Sequence, residues 1–115
     1  MLDLLKMSIK LYVVINNSLG MDKGKLSRVC VTAGFGAKQL ITFRQKMQWF
    51  INRQTTIVLK ANEPEFSELV KYLEDRKIKH ISHFDAGYTQ VPQGSLCMVA
   101  FFHEGNEYLD KFKLL

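Results

Sequence analysis

The connection from Asp85 to Ser95 holds the most concentrated set of chemically useful side chains in the sequence. It places a carboxylate, a hydroxyl, an amide, two glycines and a proline between two apolar runs. Gly87 and Gly94 allow backbone conformations that other residues avoid, and Pro92 stiffens the middle of the loop. A loop of one fixed shape at the end of a strand is a suitable place for a functional site.

A second candidate group lies at the start of the first predicted helix. Lys23 opens this stretch, and Lys25, Arg28 and Thr32 recur on one flank of the helix. A helix N-terminus already favours anions, because its first N–H groups and its dipole point outward. We therefore expect this flank to be exposed and to present positive charge and a hydroxyl group.

The two groups follow the predicted first and third strands, which the crossover rule makes parallel. Ligands of open α/β sheets bind outside the carboxyl ends of such strands. Lys25 and Asp85 are therefore expected to meet there. From sequence alone, a purely structural salt bridge between them stays open.

Other kinds of site have little support. His80 and His83 are three apart on a predicted strand and so point to opposite faces, and His103 stands alone, which favours ordinary histidines over a metal site. No glycine-rich nucleotide fingerprint, P-loop or nucleophile elbow is present. Cys30 and Cys97 fall in a predicted helix and a predicted strand, and we interpret both as reduced core residues.

Four runs rich in β-branched and aromatic residues predict four strands. The first three should be parallel, and the short link before the fourth predicts that this strand is antiparallel to a neighbour, giving an α/β fold with a mixed sheet. The runs are Lys10 to Asn16, Thr55 to Ala61, Ile78 to Phe84 and Leu96 to about His103.

Apolar residues at spacings of three and four predict the helices. The stripes lie from Leu26 to Ile41, from Thr42 to Arg53, from an Asn62 cap to about Lys77, and in a last helical turn within Asn106 to Leu115. In the second helix, Met47 and Phe50 are expected in the core. Trp49 is expected to pack at the sheet edge, with ligand stacking as the alternative.

Length and charge bound the class of protein. The 115 residues are 47% hydrophobic and 23% charged, which predicts one soluble domain over residues 10–115 after an extension over residues 1–9. Apolar runs are too short for a membrane span of roughly 18 residues, so we expect a cytosolic protein. The net charge of +5 is compatible with a polyanionic partner. The basic clusters are Lys23, Lys25 and Arg28; Arg44, Lys46 and Arg53; and Arg76, Lys77 and Lys79.

From Lys10 onward the chain resembles the archaeal and eukaryotic type of peptidyl-tRNA hydrolase, type 2 (Pth2). The motifs are Met21-Asp22-Lys23-Gly24-Lys25, Val58-Leu59-Lys60, Asp85-Ala86-Gly87-Tyr88-Thr89-Gln90-Val91-Pro92-Gln93-Gly94-Ser95 and Lys113-Leu114-Leu115. The resemblance implies a three-layer α/β/α domain with a mixed four-stranded sheet. It also implies hydrolysis of the ester between a peptide and the 3′ ribose of tRNA, with tRNA as partner and no metal or organic cofactor.

The resemblance also assigns roles to residues. Lys25 would stabilise charge on the ester oxygen or bind the terminal phosphate, Asp85 would orient water, and Thr89 would hydrogen-bond to either. An adjacent ammonium group makes a carboxylate a poor proton acceptor, which favours orientation as the part for Asp85. The expected substrate-binding residues are Lys23, Arg28, Thr32, Gln90, Gly94 and Ser95.

The chain departs from the family pattern at two positions. Val29 stands where the family has glutamine, and Thr32 stands where it has histidine. Loss of one positioned hydrogen-bond donor typically costs an ester hydrolase about 100- to 1000-fold in rate. Two alternatives therefore accompany the hydrolase interpretation: an inactive relative that binds RNA or a protein, and a hydrolase of some other acyl adduct. A homodimer is a further open expectation.

Overall fold

The strand Lys10–Asn16 (β1) forms the middle of a mixed five-stranded sheet in a computed structural model that describes residues 8–85 and 94–115. The other strands are Thr56–Ala61 (β2), Ile81–Phe84 (β3), Leu96–His103 (β4) and Lys113–Leu114 (β5). Their order across the sheet is β3-β4-β1-β2-β5. The predicted α/β class with a mixed sheet is confirmed, with one strand more than expected.

The pairing of β1 fixes the directions of the other strands. Val13 of β1 pairs with Val58 of the parallel β2 and with Ala100 of the antiparallel β4. Since β3 is antiparallel to β4, it is parallel to β1. The predicted parallel arrangement of the first three strands is confirmed, and β4 is antiparallel to both of its neighbours.

Four α-helices cover the sheet in two layers. They are Lys23–Ala37 (α1), Phe43–Ile51 (α2), Glu65–Asp75 (α3) and Glu107–Asp110 (α4), with 3-10 turns at Asn17–Leu19 and Lys38–Leu40. Thr42 and Gln45 begin α2 with a reciprocal capping box, because each side chain bonds to the other's backbone N–H.

Alternation along β1 divides the core between these layers. Val13 and Ile15 face one side, where α1 and α2 contribute Ala33, Ala37 and Trp49. Val14 faces the other side, together with Phe66, Leu69 and Leu73 of α3 and Leu109 of α4. The period of two along the strand thus produces a sandwich of α1 and α2, sheet, and α3 and α4.

The C-terminal segment differs from the prediction of a single helical turn. Only Glu107–Asp110 is helical, and Lys113–Leu114 then pairs antiparallel with Leu59 and Lys60 of β2. Pairing here covers a strand edge that would otherwise leave backbone groups of β2 open.

The second helix also differs from its predicted packing. Met47 and Phe50 are 44% and 71% exposed, so their assignment to the core was wrong. Trp49 is buried, lies edge-on to Phe102 and donates its indole N–H to the carbonyl of Thr55 at 2.9 Å. The short α2 therefore buries the ring of Trp49 in the core and leaves Met47 and Phe50 exposed to solvent.

The observed ends of α3 and the start of β3 also differ from the predicted ones. Asn62 does not cap this helix with its side chain, which instead accepts a hydrogen bond from Asn17 at 3.3 Å. The backbone N–H of Ile78 bonds to the carbonyl of Leu73 at 2.9 Å, so Ile78 closes the helix instead of beginning β3.

Among the described residues, no helix combines the length and apolar character that a membrane crossing requires.

Candidate active site

Lys25 and Asp85 form a buried ion pair at the carboxyl edge of the sheet. The Lys25 ammonium donates to Oδ1 of Asp85, and the two side chains are only 3% and 1% exposed. Lys25 is in the first turn of α1, and Asp85 directly follows β3. The predicted meeting of these two residues is confirmed.

Side-chain hydrogen bonds, one to β4 and the others local, fix the start of α1. The Asn16 side chain, at the end of β1, donates to the carbonyl of Leu96 at 3.1 Å and accepts from the Ser18 N–H at 3.2 Å. Asp22 then caps the helix by accepting from the backbone N–H of Lys25 at 3.0 Å. Each turn between β1 and Lys25 is thus tied to its neighbours.

Two backbone hydrogen bonds fix Asp85 from the other side. Its N–H donates to the carbonyl of Ser95 at 2.8 Å, and its carbonyl accepts from the N–H of Gly94 at 2.9 Å. Gly94 has a φ of +84°, a conformation that favours glycine. Gly94 and Ser95 therefore hold the base of the connection and present Asp85 to Lys25. Thr89 and Gln90, in residues 86–93, lie outside the described part of the chain.

The flank of α1 is only partly the exposed surface that the sequence predicts. Lys23, Arg28 and Thr32 are exposed, as expected. Lys25 is 5% exposed, so its place on an exposed flank was wrong. A lysine in the first turn of a helix normally extends into solvent, and here the carboxylate of Asp85 draws it inward. Lys25 is consequently a buried charge whose partner is required, not one member of a solvated patch.

Val29 and Thr32 occupy different environments. Val29, one turn after Lys25, is fully buried in the core between α1 and the sheet. Thr32 is exposed on the same helix. The valine therefore contributes packing where the family pattern has an amide, and the threonine leaves an accessible hydroxyl.

His83 belongs to this site, although its sequence spacing predicts an ordinary histidine. Burial lowers its pKa, and the positive charges of Arg28 and then Lys25 lower it further, while Asp85 opposes them. The overlooked signal is its position two residues before Asp85 on a strand, since residues i and i+2 share a face.

Cys97 of β4 lies in the same electrostatic surroundings. Burial raises the pKa of its thiol, and Lys25, Asp85 and Arg28 all act on it. The thiol contacts the carbonyl of Ser95 at 3.6 Å. Both Cys97 and the half-buried Cys30 are free thiols, as the interpretation of reduced cysteines expects.

The solvent side of α1 and α2 has an unusual charge distribution. Residues 23–62 contain eight Lys or Arg residues and no Asp or Glu. The exposed cations of this segment are Lys23, Arg28, Lys38, Arg44, Lys46 and Arg53. Large aromatic residues accompany them, because Phe35, Phe43 and Phe50 are 76%, 76% and 71% exposed.

Comparison with known proteins adds a family to this geometry. Residues 9–115 match the family model described as Peptidyl-tRNA hydrolase PTH2. The peptidyl-tRNA hydrolase of Haloquadratum walsbyi is 33% identical over 100 residues, covering 86% of this chain and 89% of the relative. That of Methanocaldococcus jannaschii is 33% identical over 107 residues, covering 89% and 92%. The probable peptidyl-tRNA hydrolase 2 of Dictyostelium discoideum is 35% identical over 107 residues, covering 88% of this chain and 50% of that longer protein.

Proposed function

The chain belongs to the peptidyl-tRNA hydrolase PTH2 family, and on that premise we propose that the Lys25–Asp85 pair is the centre of its active site. Its reaction is the hydrolysis of the ester bond of peptidyl-tRNA, which releases free tRNA and peptide. The alternative of an inactive relative is not favoured, because the similar proteins carry the name of the hydrolase. The observation that carries the proposal is the burial of two opposite charges where the predicted loop meets the start of α1.

The chemistry of the pair suits ester hydrolysis. Water attacks the carbonyl carbon of the ester, and negative charge develops on the former carbonyl oxygen. The Lys25 ammonium stabilises that charge in a dry site, where electrostatic interactions are stronger than in water. Asp85 orients the water and fixes the ammonium, while the ionised carboxylate beside an ammonium is itself a poor proton acceptor.

The residues around the pair complete the proposed site. Gly94 and Ser95 hold the backbone of Asp85 in place through hydrogen bonds. Lys23, Arg28 and Thr32 contact the substrate from the exposed flank of α1. Thr89 and Gln90 keep their proposed parts as a hydrogen-bonding group and a substrate-binding group.

The acid-free segment 23–62 is the proposed docking surface for tRNA. Lysine and arginine side chains that neutralise phosphates release counterions, so this contact strengthens at low salt. Exposed aromatic rings add faces on which unpaired bases stack. Phe35 lies beside a shallow groove of about 300 Å³ that Lys38 and Trp49 also line.

Location and assembly follow as separate proposals. We propose a cytoplasmic location, because the substrate of this family arises during translation. A homodimer is a further proposal, and the exposed apolar residues of α1, such as Val31 and Phe35, are one surface that it could cover. Sedimentation velocity on the purified chain decides between monomer and dimer.

The activity is tested by hydrolysis of an N-blocked aminoacyl-tRNA. We expect wild-type protein to release the N-blocked amino acid and the Asp85→Asn variant to be about 100- to 1000-fold slower. Asp75→Asn, at the exposed end of α3, is the matched control and should equal wild type. Thermal melts of all three proteins show whether each is folded. Equal rates for wild type and a folded Asp85→Asn variant would contradict the proposed site.

A further inference from the structure

β3 presents one of its faces to α1. His83 pairs across the sheet with Met98, and Ile81 pairs with Ala100. Met98 and Ala100 belong to the core cluster under α1 and α2, and directly opposed residues share a face of the sheet. His83 therefore lies on the α1 side, whereas Phe84 is 58% exposed on the other side.

A shift in register between β3 and β4 concentrates groups beside His83. The pairing passes from His83 with Met98 to Phe84 with Leu96, so Cys97 is the extra residue of a bulge. Bulges re-aim side chains at strand ends. Cys97 and Met98 consequently both belong to the α1-side core although they are adjacent in sequence.

Two contacts fix how α1 crosses β3. A Cβ at Gly36 would collide with the side chain of Ile81, so the helix lies directly on that residue. One end of the same stretch is pinned where Lys25 meets Asp85. The helix therefore runs antiparallel to β3, with about 16 Å of helix over about 13 Å of strand.

Interpolation between these contacts locates His83 on the helix. The midpoint of Ile81 and Asp85 is His83, and the midpoint of Lys25 and Gly36 falls between Cys30 and Val31, in the stretch from Arg28 to Thr32. Thr32 shares a helix face with Lys25 and Gly36, since spacings of seven and eleven residues return to the same side. His83 is therefore expected to lie against the middle of α1, near the exposed Thr32 and close to the Lys25–Asp85 ion pair.

Within residues 8–85 and 94–115, the charged and titratable groups around this imidazole come from α1, the start of the loop and β4. From α1 they are Arg28 and Lys25, from the start of the loop Asp85, and from β4 the Cys97 thiol, which its raised pKa keeps neutral. Burial and the two cations hold the pKa of His83 below its usual value of about 6.5. The imidazole is therefore neutral at neutral pH, and its half-buried position leaves it accessible.

We propose that His83 is the general base of the hydrolysis, an assignment that rests on the proposed function. The neutral ring accepts a proton from water as the water oxygen bonds to the ester carbonyl carbon. The tetrahedral intermediate then collapses, the bond to the ribose oxygen breaks, and the imidazolium returns its proton to that oxygen. The new carboxylic acid loses its proton to solvent. His83 thus supplies the proton acceptor that a lysine-paired Asp85 makes poorly.

The test compares His83→Asn with His80→Asn in the assay on N-blocked aminoacyl-tRNA. His80 is a suitable control because its ring bonds to the carbonyl of Ile78 at 2.9 Å, before β3 begins. We expect kcat to fall about 100- to 10,000-fold in His83→Asn and to stay unchanged in His80→Asn. Wild-type kcat/KM should decline as the pH falls through the pKa of His83, because protonation removes the base. That acid limb should be absent from the residual activity of His83→Asn.

Addition of free imidazole to His83→Ala separates a base from a structural residue. Partial restoration of the rate, increasing with pH as free imidazole becomes neutral, is expected. A His83→Asn protein with the wild-type rate and pH profile would overturn the assignment while leaving the proposed function intact. A slow variant that keeps the acid limb and gains nothing from imidazole would overturn it as well. Wild-type protein with no turnover above Asp85→Asn would overturn the proposed function and this assignment together.

Discussion

The two helical layers of this protein treat charge and aromatic surface in opposite ways. The α1 and α2 side is built from a segment without a carboxylate, and three of its phenylalanines are mostly exposed. The opposite helical layer carries acids as well as bases, and its tyrosines contact other side chains: the ring centroids of Tyr72 and Tyr108 are 4.0 Å apart, and Arg76 lies 4.2 Å from the Tyr72 ring centroid. Its acids are Glu65, Glu68, Glu74, Asp75, Glu107 and Asp110.

The difference teaches that one sheet supports two unlike tasks. The α3 and α4 layer mixes acids with bases and packs its tyrosines against each other, which is typical of a surface that stabilises the fold. The α1 and α2 layer leaves cations and rings available to a partner. Lys25 and His83 both lie on the α1 and α2 side, so the proposed catalytic and binding residues share one layer.

The sharpest contrast between the layers is expected from Lys25→Met and Leu69→Ala. Leu69 of α3 is fully buried, and its truncation should lower the free energy of unfolding by about 2–5 kcal/mol. Lys25→Met should cost a similar amount, about 3–5 kcal/mol, because Asp85 is left as a buried charge. Only Lys25→Met should also lower the turnover rate, by about 100- to 1000-fold. Urea denaturation and the hydrolysis assay check the two quantities, and equal turnover in the two variants would erase the functional contrast.

A smaller effect is expected from removal of surface charge. Replacing Lys38, Arg44 and Lys46 with alanine should weaken tRNA binding by about tenfold or more at low salt, and each lost phosphate contact should reduce the salt slope by about one unit. The matched control replaces Lys71, Arg76 and Lys77, which are exposed in and just after α3, and should leave both quantities unchanged. Filter binding across a salt series measures them, and equal losses in both triple variants would show that tRNA does not select a layer.

Much of the fold could be predicted from the sequence because its strongest signals are local. The β-branched runs predict β1 and β4 with their observed ends, since loop residues flank each run. The strand β5 carries no such signal, because two residues cannot show a period and only the open edge of β2 makes them a strand. The prediction that Met47 and Phe50 lie in the core was wrong for a related reason. Apolar spacing cannot show that α2 is too short to bury these side chains.

The contact between Lys25 and Asp85 could be predicted from the sequence, but the burial of the two side chains could not. Strand ends on one edge of the sheet predict that Lys25 meets Asp85. Burial of Lys25 depends on how closely the Asp85 backbone approaches α1, which no local pattern records. The place of His83 in the site could not be predicted from local spacing, because its neighbours come from α1 and β4, far away in the sequence.

The most direct test of the central claim uses the double variant Lys25→Met/Asp85→Leu. Replacing both members of a buried ion pair with apolar residues is often neutral or stabilising, so the variant should melt at or above the wild-type temperature. We predict that this folded protein hydrolyses N-blocked aminoacyl-tRNA at least about 100-fold more slowly than wild type. Turnover at the wild-type rate would show that the pair is a structural salt bridge and would contradict its role as the active centre.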